Sequence, residues 1–139
     1  MEYRRFENVC VVRLDPDDEI LTQLAQIAEQ EQIKLAEITG LGALKELEIS
    51  VFDIQEKVYY NNTYAEAMEL LSLTGTVTRM DGAPYLHLHA TAGDGTGKAV
   101  GGHLKKAVIS ATAEIIIRMF EGTVERKHNE AIGLNLLSF

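Results

Sequence analysis

The chain has 139 residues, of which 46% are hydrophobic, so one compact domain spanning residues 1–139 with a real core is expected. Its formal net charge is -8, a poor match to the phosphate neutralisation that drives non-specific nucleic-acid binding. No apolar run reaches membrane-spanning length and no basic-then-apolar leader opens the chain, so a cytoplasmic protein is expected.

A single cysteine, Cys10, excludes an internal disulfide. It sits in the apolar run VCVV and reads as a buried structural thiol. The basic residues form only short groups: Arg4-Arg5, Lys105-Lys106 and Arg126-Lys127-His128. Each reads as ordinary surface charge.

Residues 6–14 read as a strand. The segment DPDDEILTQLAQIAEQEQ, residues 15–32, reads as a helix capped by Asp15, with Pro16 at its first position. Ile20, Leu21, Leu24, Ile27 and Ala28 give that helix one apolar stripe. Residues 33–38 form a second strand, which Gly40 and Gly42 are expected to break. In LKELEISVFD, Leu47, Ile49 and Val51 point one way, and Glu46, Glu48 and Ser50 the other.

Asn61-Asn62 reads as a turn, and residues 64–70 as a short helix or strand entry. LSLTGTVTRM is a strand whose internal Gly75 marks a bulge or a close backbone approach. MDGAP turns the chain into the strand YLHLHAT, and GDGTGKAVGG reads as a glycine-rich loop. Residues 103–120 hold at least one further strand. The apolar tail from Glu130 to Phe139 packs as a last strand or seals an interface. One early helix among many alternating strands makes the fold class α+β rather than a doubly wound parallel sheet.

Neither glycine cluster makes a nucleotide site. GLGAL lacks the third glycine of the dinucleotide fingerprint and leads into a strand. In GTGKA the hydroxyl that follows the lysine of a phosphate-binding loop is replaced by Ala99.

The histidines carry the strongest chemical signal. On a strand, Tyr85, His87, His89 and Thr91 share one face, while Leu86, Leu88 and Ala90 supply the other to the core. Residues two apart have Cα atoms about 6.6 Å apart, a spacing from which two imidazoles can converge on one ion. His103, in GGHL, supplies a third ligand if its segment pairs alongside. Three histidines leave a fourth position for water, carboxylate or substrate. The competing reading is three polar residues around a wet cavity. Metal-bound water would make the site a hydrolytic or lyase-like enzyme. Glu114, Glu37 and Glu69 are then the candidate acid–base carboxylates, each otherwise an ordinary surface residue. His128, in ERKHNE, reads as exposed loop.

Several segments in order resemble one family. These are TGLGAL (39–44), Tyr59-Tyr60, MELLSLTGTV (68–77), GAPYLHLHA (82–90), GGHL (101–104) and TAEIII (112–117). Together they resemble the plants-and-prokaryotes conserved domain over nearly the whole chain. The resemblance implies a compact α+β fold with an antiparallel-rich mixed sheet and one principal packed helix. It also implies a homotrimer, and zinc at His87, His89 and His103. It names no reaction; a binding or scaffold module with small-molecule or protein partners is expected from it. Plant members carry a basic hook that enters AT-rich minor groove. This chain begins MEYRRF without an Arg-Gly-Arg hook, so direct DNA binding is not expected from that route.

Overall fold

The computed structural model describes residues 1–139. In chain order the elements are β1 (Glu2–Phe6), β2 (Val9–Leu14), α1 (Ile20–Gln30), β3 (Ala36–Asp53), β4 (Val58–Tyr64) and β5 (Met68–Met80). They continue with β6 (Ala83–Gly93), β7 (Ala99–Met119), β8 (Glu125–Asn129) and β9 (Leu134–Ser138). One helix packs on a nine-stranded sheet, as the α+β reading expects. Every ladder is antiparallel except a single parallel pairing, Arg79 with Glu125, between β5 and β8.

Two long strands organise the sheet. The first half of β3 pairs with β5 and with the end of β7; its second half pairs with β4 and the start of β7. The start of β7 also pairs with β6, and β6 with β5. The ladders β3–β5, β5–β6, β6–β7 and β7–β3 therefore close into a circuit. Such wrapping needs bends, and the register shifts at Gly40/Gly42 and at Glu48/Ile49 provide them. The glycines expected to end a strand instead let it continue. A Cβ on Gly42 would stand 2.6 Å from the carbonyl oxygen of Thr112, so only glycine lets β7 approach this closely.

Helix α1 begins at Ile20, not at Pro16. Asp17 has φ of 73°, which no helix tolerates, because residues 17–19 are stitched to β7 instead. Asp17 N–H donates to the Ile109 carbonyl, and Ile109 N–H donates to that of Asp18. Glu19 is the cap in place of Asp15. Its carboxylate accepts from the N–H of Leu21 and of Thr22, and from Ala107 N–H on β7. Ile20, Leu24, Ile27 and Ala28 are fully buried, while Leu21 is at the margin. They join a core of 26 residues that includes Leu88, Ala90 and Leu104 from the strands bearing the histidines.

Four further expectations are corrected. Residues 6–14 are not one strand, because Glu7 takes φ of 51° and turns β1 into β2. Asn61 and Asn62 are not a turn but lie within β4 opposite Ser50 and Ile49. The turn falls earlier, where Asp53 Oδ1 accepts from the N–H of Gln55 and Glu56, and Lys57 has φ of 55°. Val51 is exposed although it shares parity with Leu47 and Ile49. It runs past the last β3–β7 pair, Ser50 with His103, and meets only Tyr60. The glycine-rich loop is shorter than expected, since β7 already begins at Ala99 and takes in Gly101 and Gly102.

Candidate metal centre

Pairing register brings the three histidines together. His89 on β6 stands directly opposite His103 on β7, and His87 lies two residues along β6 on the same face. Their ring centroids are 5.3 Å (His87–His89), 5.2 Å (His87–His103) and 5.5 Å (His89–His103) apart. One ring nitrogen from each lies within 4.8 Å of the others. Tetrahedral coordination with bonds of about 2.0–2.1 Å places ligand nitrogens about 3.4 Å apart, a closure within reach of side-chain rotation. The donor set is all imidazole, which suits a transition-metal ion such as zinc and not calcium or magnesium.

The close approach that Gly75 signalled serves this centre. Gly75 lies on β5 opposite Leu88, between the two β6 histidines, and a Cβ there would fall 2.0 Å from the His87 carbonyl oxygen. Thr74 and Thr76 flank it opposite His89 and His87. On the other side, Tyr59 of β4 stacks near His103 at 5.3 Å, and Lys105 Nζ sits 4.1 Å over the Tyr59 ring. Ser50, paired with His103, carries a buried hydroxyl without a hydrogen-bond partner.

Burial favours the neutral form of two of the imidazoles, His103 and His87. Burial, helped by His87, Lys105 and His89, pushes His103 down to about 4. Burial, the Arg126 charge and His89 together lower His87. Neutral imidazole is the form that binds metal.

One residue at the site was misread from the sequence. Arg126, grouped above with surface charge, is 8% exposed. The charged run around His128, read as loop, is strand β8, and the tail supplies the last strand, β9, as one of its two readings had it; the hairpin β8–β9 lies against this face of the sheet. Arg126 Nε donates to Thr78 Oγ1 at 2.9 Å, Nη1 to the Asn135 carbonyl at 2.8 Å, and Nη2 approaches His87 Nδ1 at 3.4 Å. The guanidinium also lies 4.8 Å from the Tyr85 ring centroid. Alternation on β8, with Arg126 inward between Glu125 and Lys127 outward, was the available signal. His128 is exposed as expected but is a β8 residue, with Nδ1 3.1 Å from Asn135 Oδ1.

The candidate carboxylates do not join the centre. Glu114 pairs with Arg13 and Leu41 toward the far end of β7 and lines a separate groove. Glu69 is exposed opposite Gly93 and Ala43. Glu37 shares the cross-strand row of Thr76 and His87, but two strand spacings of about 4.8 Å each separate its backbone from that of His87.

Residues 1–121 match the Plants and Prokaryotes Conserved (PCC) domain. The chain belongs to that family. A solved structure from Bacteroides thetaiotaomicron, named as a candidate DNA-binding protein, superposes with a TM-score of 0.96 at 31% identity. That match covers 99% of this chain and 96% of the other. A protein from Archaeoglobus fulgidus named as metal-containing gives 0.88 at 29% identity, covering 99% and 97%. The bifunctional protein GlmU of a Synechococcus strain is 29% identical over 108 residues, 76% of this chain but only 16% of GlmU itself. The family match ends before β8, so the hairpin that delivers Arg126 lies outside it. No helix of this PCC protein is long and apolar enough to cross a membrane.

Proposed function

We propose that this PCC domain is a cytoplasmic, homotrimeric binding module whose His87, His89 and His103 hold one zinc ion with an open coordination position. The observation that carries the reading is the convergence of three imidazoles from two paired strands. A three-ligand site that is half open to solvent suits ligand capture rather than a closed structural metal. The metal-containing name of the Archaeoglobus relative supports the same reading.

Self-association is supported by an exposed groove of about 750 Å³ in which Phe6, Val11, Leu41 and Ile116 lie among the charged Glu2, Arg4, Arg13 and Glu114. Phe6, Val11 and Leu41 are each about half exposed, at 54%, 45% and 55%. Exposed apolar side chains grouped in this way fit a contact between copies. The experiment is metal analysis of protein purified without an affinity tag, together with its mass in solution. One zinc per chain and a mass three times 15.4 kDa are expected. Metal-free protein under zinc-replete conditions, or a stable monomer, refutes the corresponding half of the proposal.

Two alternative readings each have an observation in their favour. The open position and the nearby Arg126, Tyr59 and Tyr85 favour a zinc-dependent enzyme on a small molecule, with zinc supplying Lewis acidity. None of the three candidate carboxylates, Glu114, Glu37 and Glu69, stands next to the histidines, which weighs against it. The name of the Bacteroides relative favours DNA binding. A net charge of -8 weighs against that, and DNA retention that fails at moderate salt would remove it.

A further inference from the structure

Arg126 is a buried cation without a counter-charge. It is 8% exposed, and none of the protein's ion pairs includes it. Its polar partners, Thr78 Oγ1, the Asn135 carbonyl and His87 Nδ1, are all neutral. Burying a charge among neutral groups is costly and is ordinarily offset by an opposite charge. Lys105, held over Tyr59 on the other side of His103, adds a second positive charge. The local balance is thus cationic in a protein whose net charge is -8.

The tautomer of His87 sharpens the requirement. The guanidinium can only donate, so at 3.4 Å the Nδ1 of His87 acts as acceptor and the ring proton sits on Nε2. Because Nδ1 faces Arg126, Nε2 is the nitrogen left for a metal ion. Were a metal held through Nε2, the ring proton of His87 would sit on Nδ1, beside the Arg126 Nη2–H, and the two donors would be side by side for one anionic oxygen approaching from their flank.

We propose that the part of the sheet face where Arg126 meets the histidine cluster is a binding site for a small carboxylate, with the C-terminal hairpin as its recognition element. The inference rests on the metal reading above for the second carboxylate oxygen, which faces the open coordination position. A carboxylate is favoured over a phosphate because the guanidinium is itself planar and lies over the Tyr85 ring, 4.8 Å from its centroid, so that only its edge is offered. One oxygen of a planar anion can meet that edge while the other remains free.

The test is a chemical-shift titration of the full chain, zinc-loaded and metal-free, with acetate, with its neutral isostere acetamide, and with inorganic phosphate. Acetate is expected to bind at least tenfold more tightly than acetamide or phosphate and to shift the resonances of Arg126, His87 and Tyr85. Arg126→Gln is expected to lose at least tenfold in acetate affinity while keeping its zinc. Equal affinity for acetate and acetamide overturns the proposal without needing any variant to fold. Tighter binding of phosphate overturns the carboxylate assignment. If zinc is never retained, yet acetate still binds in an Arg126-dependent way, the metal reading fails and the anion site stands.

Discussion

His89 and His103 face each other directly across the β6–β7 ladder, with ring centroids 5.5 Å apart, although thirteen residues lie between them in sequence. The short turn at residues 94–98 is what allows it. Asp94 Oδ1 accepts from the N–H of Thr96 and Lys98, closing the loop so that Gly93 pairs with Ala99 and the register runs back to the histidines. His87 then completes the cluster from the same face of β6.

His89→Ala removes one of the three proposed ligands on an exposed part of the strand, so folding is expected to survive. Zinc affinity is expected to fall by more than about a hundredfold, beyond the range seen when only the groups behind the ligands are changed. Metal content after dialysis, with circular dichroism as the folding control, checks this. Retention of stoichiometric zinc by the variant would show that His89 is not a ligand.

The metal-free protein is expected to lose stability in acid because of His103. Its folded value is about 4 against 6.5 in a free side chain. Between those values the unfolded chain takes up a proton that the folded chain refuses. The free energy of unfolding therefore falls as pH drops from 6.5 toward 4, and gains nothing from this group above 6.5. His87, lowered in the same direction, adds to the slope. Denaturant titrations from pH 4 to 7 should show a shallower slope in His103→Asn, and an unchanged slope contradicts the assignment.

Gly75→Ala puts a methyl group 2.0 Å from the His87 carbonyl oxygen, a clash with backbone that no rotamer relieves. A loss of about 3 kcal/mol is expected, at the upper end of overpacking costs. The β5–β6 ladder must part where His87 is held, so zinc affinity should fall as well. Urea denaturation within 0.5 kcal/mol of wild type would mean that the approach is not tight.

Glu19→Ala removes a cap that also ties the helix to β7. The carboxylate accepts from Leu21 N–H at 3.1 Å, Thr22 N–H at 2.8 Å and Ala107 N–H at 3.3 Å. A loss of about 1–2 kcal/mol is expected. Asp15→Ala should leave the helix start unaffected, since Asp15 does not cap it. A larger effect at Asp15 on the amide protection of Leu21 and Thr22 would reverse the assignment.

Leu41→Glu places a charge in the exposed groove beside Phe6 and Val11 without touching the core. Under the trimer proposal it should yield a folded monomer of 15.4 kDa by light scattering. An unchanged trimer would move the interface elsewhere, for example to the exposed Val51, Ile54, Val58 and Tyr60.

By itself the sequence determined the elements whose signal is local. The helix stripe of Ile20, Leu24, Ile27 and Ala28 follows from a 3.6 period. The two-faced β6, with Leu88 and Ala90 inward and His87 and His89 on the opposite face, follows from a period of two. The tight turn at Asp81-Gly82, with φ of 52° and 82°, was equally legible from its residues. What only the tertiary structure decided depends on partners distant in the chain. β7 pulls residues 17–19 out of the helix, because its Ile109 offers backbone hydrogen bonds that no sequence window reveals. β3 runs through Gly40 and Gly42 because a close neighbour, not a turn, asks for glycine there. Arg126 looked like surface charge in a charged run, and became a buried cation 3.4 Å from His87 only when the C-terminal hairpin folded against the sheet. Periodicity reports which face a residue takes; it carries no information about what arrives to cover that face.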